Sequence, residues 1–278
     1  MRSIAVMNQK GGVGKTTTAV NLSAALSKAG KRVFVIDLDP QAHASLHLGI
    51  VVRDGEASMY DVLTGDRQFR DVRQQVGENL YLAPAHLDLA AAEMELAGEV
   101  GREVILRDKL AGDQATGNDA EFDYIVIDCP PSLGVLTINA LTMVREVFLP
   151  LQPHFLALHG LSKLLRTIEM VSQRLNPQLR LSGVLLCMYD ANTRLANEVS
   201  DDVNAYFEKE RRPGCIWSEA KAFSTRIRRN IRLAEAPSFG QSILTYAPTS
   251  NGAEDYRHLA EEVLAMSAGQ AGTLRRAA

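Results

Sequence analysis

Short apolar runs ending in a carboxylate recur along this chain, separated by stretches with helical spacing. Ile4-Ala5-Val6-Met7 comes first, and after a glycine-rich loop Ala19, Val20, Leu22, Ala25 and Leu26 repeat at helical spacing as far as Ala29. Val33 to Asp37 and Tyr124 to Asp128 are continuous apolar runs, the pattern of strands buried on both faces of a parallel sheet. Further strands are predicted over Asn79 to Ala85, Glu146 to Leu151 and Leu181 to Met188. Helices are predicted over Met59 to Gly65, Leu87 to Ala97, Leu161 to Leu175 (just after His159-Gly160), Thr193 to Glu210 and Gly252 to Met266. The stripe Leu161, Leu164, Leu165, Ile168 and Val171 suits core packing or a dimer face equally. Residues 41–58 are polar and mixed, Ala111 to Asn118 reads as a surface loop, and Ser267 to Ala278 reads as a disordered tail. The alternation predicts an α/β fold: a doubly wound, mostly parallel sheet with helices on both faces, forming a single domain over residues 1–266.

Composition narrows the class. At 278 residues, 46% hydrophobic and 23% charged, the chain can fill one large α/β core. No apolar run reaches the roughly 18 residues of a membrane span, and the first residues lack the pattern of a signal peptide. Cys129, Cys187 and Cys215 are odd in number and far apart, and no Cys-x-x-Cys occurs, so a disulfide framework or zinc site is not expected and a reduced, cytoplasmic setting is. The net charge is −3, yet Lys209 to Arg232 holds eight Lys or Arg against two Glu. That density of charge is where a polyanion could be read.

The candidate chemistry begins in Gln9-Lys10-Gly11-Gly12-Val13-Gly14-Lys15-Thr16-Thr17, between a strand and a helix. Glycines let backbone N–H groups turn toward a phosphate chain, and the helix start adds its positive dipole end. Lys15 would reach β- and γ-phosphates, and the Thr16 hydroxyl would ligate Mg²⁺. Two later strands end in Asp37-Leu38-Asp39-Pro40 and in Asp128-Cys129-Pro130-Pro131. In an open α/β sheet those tips face the same crevice as the first loop.

Gln9 stands where the usual P-loop has its first glycine, and Lys10 follows it. This resembles the deviant Walker A motif of the ParA/MinD family of partitioning and positioning ATPases. The resemblance implies that Gly11, Gly12, Val13, Gly14, Lys15, Thr16 and Thr17 hold ATP, and that Lys10 crosses a dimer interface to the partner's nucleotide. It further implies that Asp39 positions the attacking water, that Asp37 and Asp128 support Mg²⁺, that Ser132-Leu133-Gly134 senses the γ-phosphate, that residues 41–58 move with nucleotide state, and that adenine lies near Asp190 and Pro237. Thr225 to Gly240 resembles chromosome-type ParA proteins, in which the residue matching Arg232 binds DNA without sequence preference. Arg226, Arg228 and Arg229 surround it; at the family's second arginine position stands Asn192, with Arg194 two residues on. Implied is a slow ATPase that dimerises around ATP, binds non-specific DNA on the nucleoid and is triggered by a separate ParB-like partner. The alternatives are a MinD-like membrane-associated regulator, against which the tail offers Leu274, Arg275 and Arg276 but no aromatic residue, and a metabolic P-loop ATPase of the same superfamily.

Overall fold

The computed structural model describes residues 1–115, 122–154, 161–212 and 214–276. The first half runs β1 (Arg2–Val6), α1 (Lys15–Lys28), β2 (Val33–Asp37), α2 (His43–His47), α3 (Met59–Thr64), α4 (Phe69–Val72), β3 (Gln74–Gly77), β4 (Leu80–Ala83), α5 (Leu89–Glu95) and α6 (Ile105–Ala115). The second runs β5 (Tyr124–Asp128), α7 (Val135–Met143), β6 (Glu146–Leu151), α8 (Leu161–Arg174), β7 (Arg180–Tyr189), α9 (Arg194–Glu210), β8 (Lys221–Ala222), β9 (Ile227–Arg228), α10 (Ile231–Glu235), α11 (Ile243–Tyr246) and α12 (Asn251–Arg276). The strands lie in the order β3-β4-β2-β5-β1-β6-β7-β8, with β9 also paired to β7. Among the described residues, β3 alone is antiparallel to its neighbour.

Each central strand divides its side chains between two cores, as a period of two requires. Ile4, Val6, Val33, Val35 and Val126 meet α1 and α12 through Leu22, Leu26, Tyr256 and Leu259. Ala5, Phe34, Ile36, Ile125 and Ile127 face the other layer, with Met59, Leu89, Leu141 and Ile168. The doubly wound fold read from the apolar runs is therefore present. All five residues of the α8 stripe are buried in this second core. That stripe is core packing, not a dimer face.

Several expectations need correction. Ala111 to Ala115 belongs to α6, because residues 105–110 already carry helical spacing and no proline stops them; the remaining loop residues 116–118 lie outside the described residues, as do His159 and Gly160. The last helix continues through Arg276 rather than ending at Met266. Ala268, Gln270, Ala271, Leu274 and Arg275 are good helix formers, and they extend a helix already nucleated by packing, so the predicted disordered tail is mostly helical backbone. Residues 41–58 also contain the unpredicted helix α2.

Pro150 sits inside β6, a central strand, where a missing N–H is normally costly. It is tolerated because β1 pairs only with Glu146 to Phe148, so Pro150 lies beyond that ladder. Its carbonyl accepts the Asn8 side-chain amide at 2.8 Å, which pins the start of the glycine loop to β6.

Candidate functional site

The tips of β1, β2, β5 and β7 and the turn after β9 enclose a cleft of about 720 Å³. Asn8 also accepts the Lys10 backbone N–H at 3.0 Å, so the loop leaves β1 in a fixed direction. Gly12 and Gly14 then adopt left-handed backbone, φ +72° and +96°. At Gly14 the left-handed backbone disfavours any side chain, and an added Cβ would already rest against Cys187, whose Cβ and Sγ would lie 3.4 Å away. The α1 helix starts there, leaving its first amides without partners of their own in the helix. Gly11, Gly12, Lys15, Thr16 and Thr17 line the cleft. Val13 does not: its side chain turns to a separate hollow beside Leu149, Leu161 and Leu164, leaving only its amide for a phosphate.

The two loop lysines point apart. Lys15 is buried on the cleft wall, its Nζ 3.4 Å from the Lys10 carbonyl oxygen. Lys10 is exposed, lies outside its own cleft, and brings its Nζ against His154 Nε2. The resemblance assigns Lys10 to a partner subunit's nucleotide, and within its own chain it points away from the cleft.

Asp37 and Asp128 are direct partners in the register of β2 and β5, so two buried carboxylates end adjacent parallel strands. Asp37 accepts from the Asp39 amide (3.1 Å), the Ser45 amide (2.8 Å) and the Ser45 hydroxyl (2.7 Å), which ties α2 to the strand tip. Neither oxygen of Asp128 has a hydrogen-bond partner among the described residues. Burial, and then the Asp37 charge, push the Asp128 carboxyl well above the usual carboxylate range; burial pushes Asp37 up to about 6 against its hydrogen bonds. Two orphaned oxygens in an acidic pocket, beside Thr16 and Lys15, fit a divalent cation or its bound water. Asp39 lines the cleft and is oriented by the Gln41 amide at 3.0 Å.

Met188, Ile227, Ile231, Leu233, Ala234 and Tyr256 give the cleft an apolar side, alongside Arg228, Arg229 and Asn230. Met188 has φ +53°, a strained left-handed turn at the end of β7. Pro237 does not line the cleft. It lies in the 3₁₀ turn Ala236–Phe239, one turn past the residues of α10 that form the wall. Sequence reading missed Met188, Ile231, Tyr256 and His43, which also lines the cleft, because their placement depends on contacts between distant segments.

The basic cluster is divided. Arg212 pairs with Glu169 at 3.1 Å, and Lys221 pairs with Gly183, well down β7 from its cleft end. Arg226 donates to the Tyr189 hydroxyl (2.6 Å) and Ser200 (3.1 Å) and stacks over the Tyr189 ring. Arg228 is held by Asp255 and Glu254, both at 2.6 Å. Both side chains are engaged within the fold, unlike the open surface expected for them. Arg194, Arg229 and Arg232 are exposed, although Arg194 pairs with Glu198 and Arg232 with Glu235, both at 2.8 Å. Exposed pairs of this kind contribute little and yield to a phosphate.

α2 joins the acidic tips to this basic turn. His47 is buried, its ring bonded to the Gln241 backbone while Nε2 has no partner among the described residues, and burial pushes its pKa down to about 4. Next to it Gly49 and Gly240, both left-handed, stand backbone to backbone: a Cβ on Gly240 would lie 2.8 Å from the Gly49 Cα. Since the fold requires neutral His47, its contribution is intact above the unfolded imidazole pKa and is lost as pH falls toward 4, by up to about 3 kcal/mol. Urea unfolding of His47→Gln should therefore show less acid destabilisation than wild type between pH 6.5 and 4.5; parallel curves would refute this.

Residues 1–181 match a family model described as an AAA domain. The chain is 47% identical over 263 residues to the sporulation initiation inhibitor protein Soj of Bacillus subtilis, covering 94% of this chain and 98% of that one. It is 45% identical to the chromosome-partitioning ATPase Soj of Thermus thermophilus, with 95% and 96% covered. Among solved structures, a cobyrinic acid a,c-diamide synthase from Mycobacterium smegmatis with bound ATP analog and magnesium superposes with a TM-score of 0.78 at 38% identity, over 95% of this chain and 94% of that one. With a strand, glycine loop and helix followed by carboxylate-tipped strands, and near full-length similarity to partitioning proteins, the chain belongs to the ParA/Soj family of chromosome-partitioning ATPases.

Proposed function

We propose that this protein binds Mg·ATP in the cleft, dimerises around two nucleotides, hydrolyses them slowly, and in the dimeric state binds DNA without sequence preference. The observation that carries the reading is one loop with two lysines facing opposite ways, Lys15 into the cleft and Lys10 out of it. A lysine facing away from its own cleft is placed to reach another chain's site. The loop amides, Lys15 and Thr16 would cradle the triphosphate, Asp128 would hold Mg²⁺ through its unpartnered oxygens with Asp37 behind it, and Asp39 would orient the attacking water. The ATP analog and magnesium in the Mycobacterium smegmatis structure support this ligand pair. The apolar side formed by Ile231, Leu233, Ala234 and Met188 would take the base.

Arg194, Arg229 and Arg232 form the proposed DNA surface, and dimerisation doubles it. A separate ParB-like partner would trigger hydrolysis and release, giving a cytoplasmic protein that cycles on and off the nucleoid to move a cargo. Among the described residues no helix is long and apolar enough to cross a membrane. Duplex DNA binding should appear with ATP and not with ADP. Six phosphate contacts per dimer predict log Kd changing with log salt at a slope of about 5. Arg232→Glu should weaken DNA binding by about 10-fold or more while leaving ATP affinity unchanged. Equal binding in all nucleotide states, or none in any, would overturn the reading.

A further inference from the structure

Two consecutive residues of α12 grip two different walls of the cleft. Asp255 is buried and receives both the Arg228 backbone N–H (2.8 Å) and its guanidinium, from Nε at 2.9 Å and Nη2 at 2.6 Å. Glu254 takes a second hydrogen bond from Nη2 at 2.6 Å. β9 and the turn carrying Arg229 and Arg232 are thereby fastened to the start of α12. The next residue, Tyr256, meets the Thr18 hydroxyl at 3.2 Å in a fully buried contact. Thr18 lies in the first turn of α1, and its amide donates to the Gly14 carbonyl at 2.9 Å, at the end of the phosphate loop.

Burial raises the Tyr256 pKa well above its ordinary value, so the hydroxyl keeps its proton and the contact to Thr18 is a neutral hydrogen bond. The Asp255–Arg228 contact is of the opposite kind, a multidentate charge-assisted joint in which one partner is buried. Breaking it would leave Asp255 buried without its cation, so the joint holds while the segments around it move. A rigid helix gripping both walls at adjacent positions cannot let one shift without shifting the other.

We infer that Asp255 and Tyr256 are a positioning pair that couples the phosphate loop to the basic turn, so that nucleotide in the cleft sets Arg229 and Arg232 for a polyanion. Neither residue touches phosphate in this scheme, and Arg228 acts as the tether, not as a DNA ligand. The inference rests on the DNA-binding reading above. It adds what links the two ligands within one chain, a term separate from the doubling of the surface on dimerisation.

The test is the ratio of duplex DNA Kd without nucleotide to that with a non-hydrolysable ATP analogue, for wild type, Tyr256→Phe, Asp255→Asn and the double variant. Tyr256→Phe removes one oxygen and keeps the packing, so it stays informative if Asp255→Asn folds poorly. We expect the ratio, read at saturating analogue so that any change in analogue affinity does not enter it, to fall by about fivefold or more in each folded single variant. The double variant should be no worse than the worse single, since both cut the same link. A Tyr256→Phe protein with wild-type melting temperature and a ratio within twofold of wild type would overturn the inference alone. Absence of DNA binding by wild type in every nucleotide state would instead overturn the DNA reading, and this inference with it.

Discussion

Asp128→Asn is expected to make the nucleotide-free protein more stable and nearly inactive. In the fold, Asp128 and Asp37 are buried side by side with their carboxyl pKa values raised, Asp37 to about 6. An acid whose pKa rises on folding contributes stability below its unfolded pKa and loses it as pH climbs through the folded value. Near neutral pH the pair therefore works against folding. Removing one charge should raise the melting temperature by several degrees at pH 7.5, and by less at pH 5, where Asp37 is already largely protonated. Hydrolysis should fall by about 10²-fold or more, since the negative charge and one of the two orphaned oxygens proposed to hold Mg²⁺ are gone. Thermal melts with and without Mg·ATP, beside a phosphate-release assay, measure both effects. A variant less stable than wild type at pH 7.5 would show that the carboxylates are paired in a way the geometry does not contain.

Lys10→Ala should abolish most hydrolysis, by about 10³-fold, while nucleotide still binds. Lys15→Ala should lose binding itself, because Lys15 lines the cleft and Lys10 does not. The sharper experiment mixes two inactive proteins. Lys10→Ala keeps an intact cleft but cannot complete its neighbour's, and Asp39→Ala retains Lys10 but cannot use it. Each mixed dimer then holds one site with both groups, so the mixture should recover up to about a quarter of wild-type activity, half the dimers being mixed with one competent site each. No recovery at concentrations that support dimerisation would place Lys10 in its own site after all.

The parts of this site legible in the sequence are those in which one segment carries both the scaffold and the chemistry. Val33 to Asp37 and Tyr124 to Asp128 announce buried strands, and their acidic ends follow without knowledge of any neighbour. The glycine loop is legible for the same reason. Arg226 and Arg228 looked like their neighbours Arg229 and Arg232 because nothing nearby reveals that their partners lie at Tyr189 and Asp255. The polar α2 helix was hidden because it owes its place to Ser45 reaching back to Asp37, not to an apolar stripe. The single basic cluster in the sequence became two groups when β8 and β9 paired at different heights of β7.

The glycine pair at residues 49 and 240 bears on how this protein can vary over evolutionary time. A joint between side chains can be retuned by compensating exchanges, a larger residue on one side answered by a smaller one on the other. Here the two backbones touch with no side chain between them, so there is no such pair of dials to turn. Drift can alter exposed residues around it, Val51 among them, without changing the fit of α2 against the basic turn. The clearance of that joint is inherited as a fixed dimension, and diversity in the surfaces it connects has to accumulate on either side of it.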